Sequence, residues 1–115
     1  MKKIKDTSEA LSRFEDAAIK HADAIEQGDH KVANKNCDLI IKVANFLKSE
    51  DKLDLLTEFL THSSDGVKAW AATYLLSTNA EMAVNVLEQI AKGTGSRAFA
   101  ARITLKEWRD GNLKL

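Results

Sequence analysis

The chain has 115 residues, enough for one domain whose core needs no disulfide. Its 17 basic and 17 acidic residues cancel, which argues against strong non-specific attraction to nucleic acid or to an anionic membrane. Cys37 is the single cysteine, so an internal disulfide is excluded and a reducing, cytoplasmic setting is expected.

The opening residues, Met1 to Asp6, are basic but have no apolar stretch behind them, so they do not read as a signal peptide. No segment approaches the roughly 20 apolar residues of a membrane span. Proline is absent and glycines are few, which leaves helices uninterrupted. Six helices are predicted. The first runs from about Ser8 to Gln27, with Asp6, Thr7 or Ser8 as cap and Glu9 placed to answer Asp6. Leu11, Phe14, Ala18, His21, Ala22 and Ile25 form its apolar stripe, and Gly28 stops it. Asp29 then caps a second helix, about His30 to Ser49, with Val32, Ala33, Cys37, Ile40, Ala44 and Leu47 facing inward. A short third helix, about Asp51 to Thr61, carries Leu53, Leu56, Phe59 and Leu60.

The fourth helix, about Gly66 to Ser77, is apolar almost all round, which suits a helix sandwiched between neighbours. Asn79 is expected to cap the fifth, about Ala80 to Lys92, with Met82, Ala83, Val86, Leu87 and Ile90 inward. Ser96 is expected to cap the sixth, about Arg97 to Asp110, and Gly111 to stop it. The residues Val67 to Leu76 recur 29 positions later as Ser96 to Leu105: VKAWAATYLL against SRAFAARITL. A period of this length is a signature of stacked helical hairpins. In that arrangement the aromatic at Trp70 or Phe99 fills the layer between repeats and the flanking alanines allow close approach. The expected architecture is an all-α solenoid of three hairpins in one domain, 1–115: a capping hairpin at 1–50, one repeat at 51–77 and a second at 78–110.

A short first helix, a turn with Asp65 before Val67 and Lys68, and an Ala-rich second helix resemble a HEAT repeat over roughly Leu53 to Trp108. The second copy departs from that pattern, with Thr94 and Ser96 where Asp65 and Val67 stand in the first. His21-Ala22, Gly28-Asp29, Ala33-Asn34-Lys35 and Trp70-Ala71-Ala72 with Leu75 are similar to small single-domain bacterial HEAT-like proteins of a family of unknown function. The resemblance implies a right-handed HEAT/armadillo-like superhelix, an aspartate capping the second helix of the repeat, and a binding surface rather than a reaction. Families of this size include cytoplasmic antitoxins and immunity proteins.

The residues themselves offer few chemical constellations. His21 shares a stripe with apolar residues, and Asn36 borders the inner face of the second helix. They read as a structural polar pair across the first hairpin, or, with Lys35, as a small polar pocket that an enzyme would use. Cys37 reads as a small buried hydrophobe. No His or Cys spacing suits a metal, and no cofactor is expected. Gly93-Thr94-Gly95-Ser96 lacks the length and lysine of a phosphate loop. Up to Asp65 there are 10 basic and 13 acidic residues; from Gly66 onward there are 7 and 4. Arg102, Lys106 and Arg109 form a basic stripe on the last helix, and Lys68 and Arg97 are matched across the repeat. Thr73 and Arg102 are the copies' differing, outward-facing position. These six residues form the candidate surface for a protein partner, or, as an alternative, for a nucleic-acid backbone. The leading expectation is a non-catalytic protein–protein interaction module, a monomer or a homodimer, that binds no membrane.

Overall fold

The computed structural model describes residues 4–113. Among them are five α-helices and one 3-10 helix, with no strand: α1 (Thr7–Gln27), α2 (His30–Ser49), the 3-10 helix (Leu53–Thr61), α3 (Asp65–Leu75), α4 (Ala80–Ala91) and α5 (Gly95–Arg109). The six helices and the all-α class agree with the sequence. Two compact units divide the chain, one through Leu55 and one from Leu56.

In the first unit α1 and α2 pack as an antiparallel hairpin. Asp6 caps α1, its carboxylate accepting the Glu9 N–H at 2.8 Å. Glu9 reaches back to the Lys5 N–H at 2.9 Å, one residue earlier than a capping box would place it. Its carboxyl is held below the ordinary range, first by that backbone hydrogen bond and then by Arg13, 2.6 Å away. Gly28 ends α1 at φ 73°, a left-handed conformation that glycine adopts without strain. Asp29 caps α2 through the Val32 N–H at 3.1 Å.

The buried faces differ from the predicted ones by a small rotation. On α1 they are Ala10, Phe14, Ala17, Ala18, Ala22 and Ala24, and Ile25 is exposed. On α2 they are Ala33, Asn36, Ile40, Val43, Ala44 and Leu47, with Val32 exposed and Cys37 half-buried. Ala10, Phe14, Ala17, the half-buried His21 and Ala24, like Ala33, Asn36, Ile40, Val43 and Leu47, step by three and four residues, the narrow seam of two closely aligned helices. A broader 3.6-residue stripe predicts Ile25 and Val32 inside, and both are exposed.

The third helix is not an α-helix. Leu53, Leu56 and Phe59 are buried at intervals of three. Three residues per turn is the 3-10 period, which stacks these side chains on one edge, where an α-helix would fan them out. Asp51 precedes it with φ 55°, closing the turn after α2.

In the second unit α4 packs against both α3 and α5, and α3 also touches α5. The cap of α3 is Ser64 rather than Asp65: the Ser64 hydroxyl accepts the Val67 N–H at 3.4 Å, and the His62 Nδ1 accepts the Ser64 N–H at 2.9 Å. Asp65 lies one residue on, in the first turn, where its charge still favours the helix N-terminus. Gly66, Val67, Ala71, Ala72, Tyr74, Leu75 and Leu76 of this segment are buried, in keeping with its apolar circumference. Asn79 holds the cap position of α4, but its side chain makes no cap hydrogen bond. At α5 the cap position falls on Thr94, again without a side-chain bond, and Ser96 lies inside the helix. Gly95, at φ 88°, starts α5 earlier than expected, because a glycine there accepts the left-handed turn that leads into the helix.

Candidate functional site

The second unit has a shallow groove where α4 and α5 meet. It encloses about 400 Å³ and is lined by Glu88, Ala91, Lys92, Arg102, Leu105 and Arg109. Ala83, Leu87 and Ile90 of α4 and Ala98, Ala101 and Leu105 of α5 are buried. The small alanines let the two helices approach. The long side chains beside this seam rise to form the groove walls.

Two charged links cross the groove. Arg102 Nη1 donates to the carbonyl of Ala91 at 2.7 Å. Ala91 is the last residue of α4, so this carbonyl has no partner within its helix, and the guanidinium sits at the negative end of the helix dipole. Arg109 Nη2 meets Glu88 Oε2 at 3.0 Å, joining the helices farther along. Each arginine thus commits one nitrogen to its internal partner. A guanidinium has five N–H donors in a rigid fork, so donors remain for a ligand. Lys92, Arg102 and Arg109 against Glu88 leave the rim positive.

The structure gathers only part of the predicted surface here. Arg102 and Arg109 line the groove. Lys106 does not: it pairs with Asp110 at 2.8 Å on the exposed side of α5, and the hydrogen bond and charge of Asp110 hold its ammonium above its ordinary pKa. Lys68 and Thr73 lie on α3. Lys68 pairs with Asp65 at 3.2 Å and is half-buried, and the Thr73 hydroxyl donates to the Ala69 carbonyl of its own helix at 2.8 Å. Thr73 is half-buried, whereas its repeat counterpart Arg102 is exposed. Arg97 is half-buried at the start of α5. Glu88, Lys92 and Leu105 were missed as site residues. Glu88 pairs 21 positions along the chain with Arg109, and no local spacing announces such a link.

His21, Lys35 and Asn36 belong to the first unit. His21 and Asn36 are equidistant from the Gly28–Asp29 turn. His21 is half-buried, and burial lowers its pKa below the ordinary value. Asn36 is 5 % exposed, and its amide donates to the Val32 carbonyl one turn back on α2 at 3.0 Å. This hydrogen bond lies within α2 itself. Lys35 is exposed. Cys37 is half-buried, and its thiol is pushed up, first by burial and then by the charge of Asp38, which keeps it in its unreactive protonated form. Among the described residues no cluster of three or more His, Cys, Asp or Glu could hold a metal ion. No described helix is long and apolar enough to cross a membrane.

The repeat's aromatic positions also separate. Trp70 stacks on Tyr74 with ring centroids 6.4 Å apart, and Tyr74 is buried. Phe99 is 59 % exposed, so it does not fill a layer between repeats as expected.

One solved structure resembles this fold end to end. It is the crystal structure of the protein RPA1889 from Rhodopseudomonas palustris CGA009. The TM-score is 0.89, with 98 % of this chain and 99 % of RPA1889 covered, at 21 % identity. That likeness concerns the fold alone. RPA1889 has a name that states no activity. No family model matches the chain, and no curated protein matches it either. The protein is thus a small all-helical protein with the fold of a bacterial relative in structure.

Proposed function

We propose that this protein is a non-catalytic binding module and that the α4–α5 groove receives an acidic side chain of a partner protein. The observation that carries this is the groove itself: an apolar floor at Ala91 and Leu105 beneath three cations and one anion. Arg102 and Arg109 are already held by Ala91 and Glu88, so their unused donors are fixed in place before a ligand arrives. An arginine fork recognises a carboxylate by two parallel hydrogen bonds. The HEAT-like resemblance of the α3 and α5 segments supports the same class, because stacked helical hairpins bind through exposed helix faces. Its most specific version is a cytoplasmic immunity or antitoxin protein of a bacterium, a reading that rests on the resemblance.

The test begins with tagged full-length protein in extract from its native host. The partner recovered is then purified and titrated by calorimetry against the wild type, Arg102→Glu and Arg109→Glu. A one-to-one complex weakened at least about tenfold by either reversal is expected, the usual cost of turning attraction into repulsion at a close charge pair. Equal affinity for all three proteins would refute the groove as the site. A duplex oligonucleotide is titrated in parallel at about 50 mM salt, where phosphate binding is strong. Salt-dependent binding of the duplex, abolished by Arg102→Glu, would replace the protein-partner reading with a nucleic-acid one.

A further inference from the structure

Charge is spread unevenly along the α4–α5 groove. Where α4 stops, Lys92 and Arg102 stand on its rim, and both are exposed. Arg102 donates to a neutral carbonyl, that of Ala91. Among the described residues, no carboxylate pairs with Lys92 or Arg102. One turn back along α4, Glu88 meets Arg109 at 3.0 Å and cancels its charge. The groove thus has a doubly positive end and a neutral end. Lys92 and Glu88 are about 6 Å apart along the axis of α4, and Arg102 and Arg109 about 10.5 Å apart along that of α5. Leu105 follows Arg102 by three residues and precedes Arg109 by four, so it lies between them on the same face.

The end of α4 accounts for part of the positive charge. Its last carbonyls carry about half a negative charge, which a cation nearby offsets. Two full cations exceed that amount and leave about one and a half positive charges facing solvent. One carboxylate from outside neutralises most of this excess. A second carboxylate reaching toward Arg109 finds that guanidinium already paired and meets Glu88 as a like charge. The side chains of Glu88 and Arg109 keep about half their exposure, at 47 % and 55 %, so this repulsion is screened but not abolished. Space also limits the ligand. The groove encloses about 400 Å³, more than one carboxylate side chain fills. The remainder lies over Ala91 and Leu105, where an apolar side chain gains by leaving water and a charged one is desolvated without a partner.

We infer that Glu88 is a specificity-determining residue of this groove: it admits a single carboxylate, seated between Lys92 and Arg102 with an aliphatic neighbour over Leu105, and turns away runs of acidic residues. This rests on the groove being the partner site. The partner it fits carries a lone acid beside an aliphatic residue, rather than an acidic tail. The zero net charge of the chain supports the same choice, because no long-range field draws a polyanion to the protein.

Three short capped peptides, otherwise serine and glycine, test this. The first has one glutamate two residues before a leucine, a spacing of about 7 Å in an extended chain. In the second a glutamate replaces the leucine, and in the third a serine does. Each is titrated into the nitrogen-15-labelled full chain at about 20 mM salt, where screening across the groove is weak. Amide and arginine side-chain signals of α4 and α5 report binding. Exposed charge pairs change affinity by factors of about two to five. The wild type is expected to bind the glutamate–leucine peptide about threefold or more tighter than the two-glutamate peptide, and several-fold tighter than the serine peptide. Glu88→Gln, with helix content unchanged by circular dichroism, is expected to reverse the first preference, since Arg109 is released and the like charge is gone. Arg102→Glu is expected to abolish binding of all three. Binding that needs Arg102 but keeps the same order of peptides in wild type and Glu88→Gln would overturn the inference while leaving the groove as the partner site. A wild type that prefers two glutamates, or that binds the leucine and serine peptides equally, would also overturn it. Binding indifferent to Arg102→Glu, or no binding of any peptide by the wild type, would overturn the groove as the site as well.

Discussion

Leu105 and Ile103 sit two residues apart on α5 and face opposite ways, which makes their truncation a sharp test of how this helix is seated. Leu105 is 4 % exposed and Ile103 43 %. Leu105→Ala removes about three buried carbon groups, and at about 0.8 kcal/mol each the transfer loss is about 2.4 kcal/mol. Sealed cores add a further penalty for the void left behind. Leu105 lines the α4–α5 groove, so the vacated space joins an opening that solvent already reaches, and that penalty is small. The expected cost is about 2.5 kcal/mol. Its repeat counterpart Leu76 is 1 % exposed and does not line the groove, so Leu76→Ala is expected near the upper part of the range, about 4 kcal/mol. Ile103→Ala loses little burial and gains helix propensity, for a net change within about 0.5 kcal/mol. Urea unfolding followed by circular dichroism at a few micromolar protein reads all three. With a slope of about 1–1.5 kcal/mol per molar, the Leu105→Ala midpoint falls by about 2 M and the Ile103→Ala midpoint barely moves. An Ile103→Ala cost above about 1.5 kcal/mol in dilute solution, beyond the usual range for a surface site, would mean that this face is part of the monomer's core, and the seating of α5 described here would be wrong.

Three further outcomes are expected. Gly28→Ala puts a Cβ in open space, with nothing within 4 Å, so only the left-handed backbone is penalised; the cost is about 1 kcal/mol, and Gly28→Asn recovers most of it by the same urea assay. Ser64→Ala removes the cap of α3 and costs about 1 kcal/mol, whereas Ser64→Asp keeps an acceptor and is nearly neutral; equal stability of all three proteins would contradict the cap. His21 has a folded pKa below its ordinary 6.5, so the unfolded chain takes up the proton more readily. Its contribution to stability is complete above pH 6.5 and is lost as pH falls from there through the folded pKa, so His21→Gln is expected to flatten the acid side of the stability–pH curve; parallel curves between about pH 7 and 5 would count against this.

The parts of the fold legible in sequence are those set by neighbours along the chain. Asp6, Gly28 and Asp29 mark helix ends because a cap and its N–H lie within three residues of each other. The spacing of Leu53, Leu56 and Phe59 by three suits a 3-10 helix, but Leu60 beside Phe59 also fits the α-helical period, so the sequence predicts a helix there without its type. The exposure of Phe99 was beyond reach, since two matched copies look alike whether or not another layer follows. The groove depended on where α4 ends and how α5 lies across it. Arg102 reads as a free surface cation until the Ala91 carbonyl is placed beside it. The basic stripe was legible, but its division between the groove and the outer face was set by partners on other turns and helices, Glu88 and Asp110.

The order of the helices has a consequence for how the protein is made. The hairpin of α1 and α2 closes through contacts near in sequence and can form as soon as both helices have left the ribosome. The second unit cannot close so early, because α4 needs Ala98, Ala101 and Leu105 of α5 beside it. Until α5 is synthesised, α3 emerges with almost no polar face of its own. Translation slowed between Leu75 and Gly95 would prolong that interval. It is the stretch of the message where pausing most favours capture by chaperones or loss to aggregation.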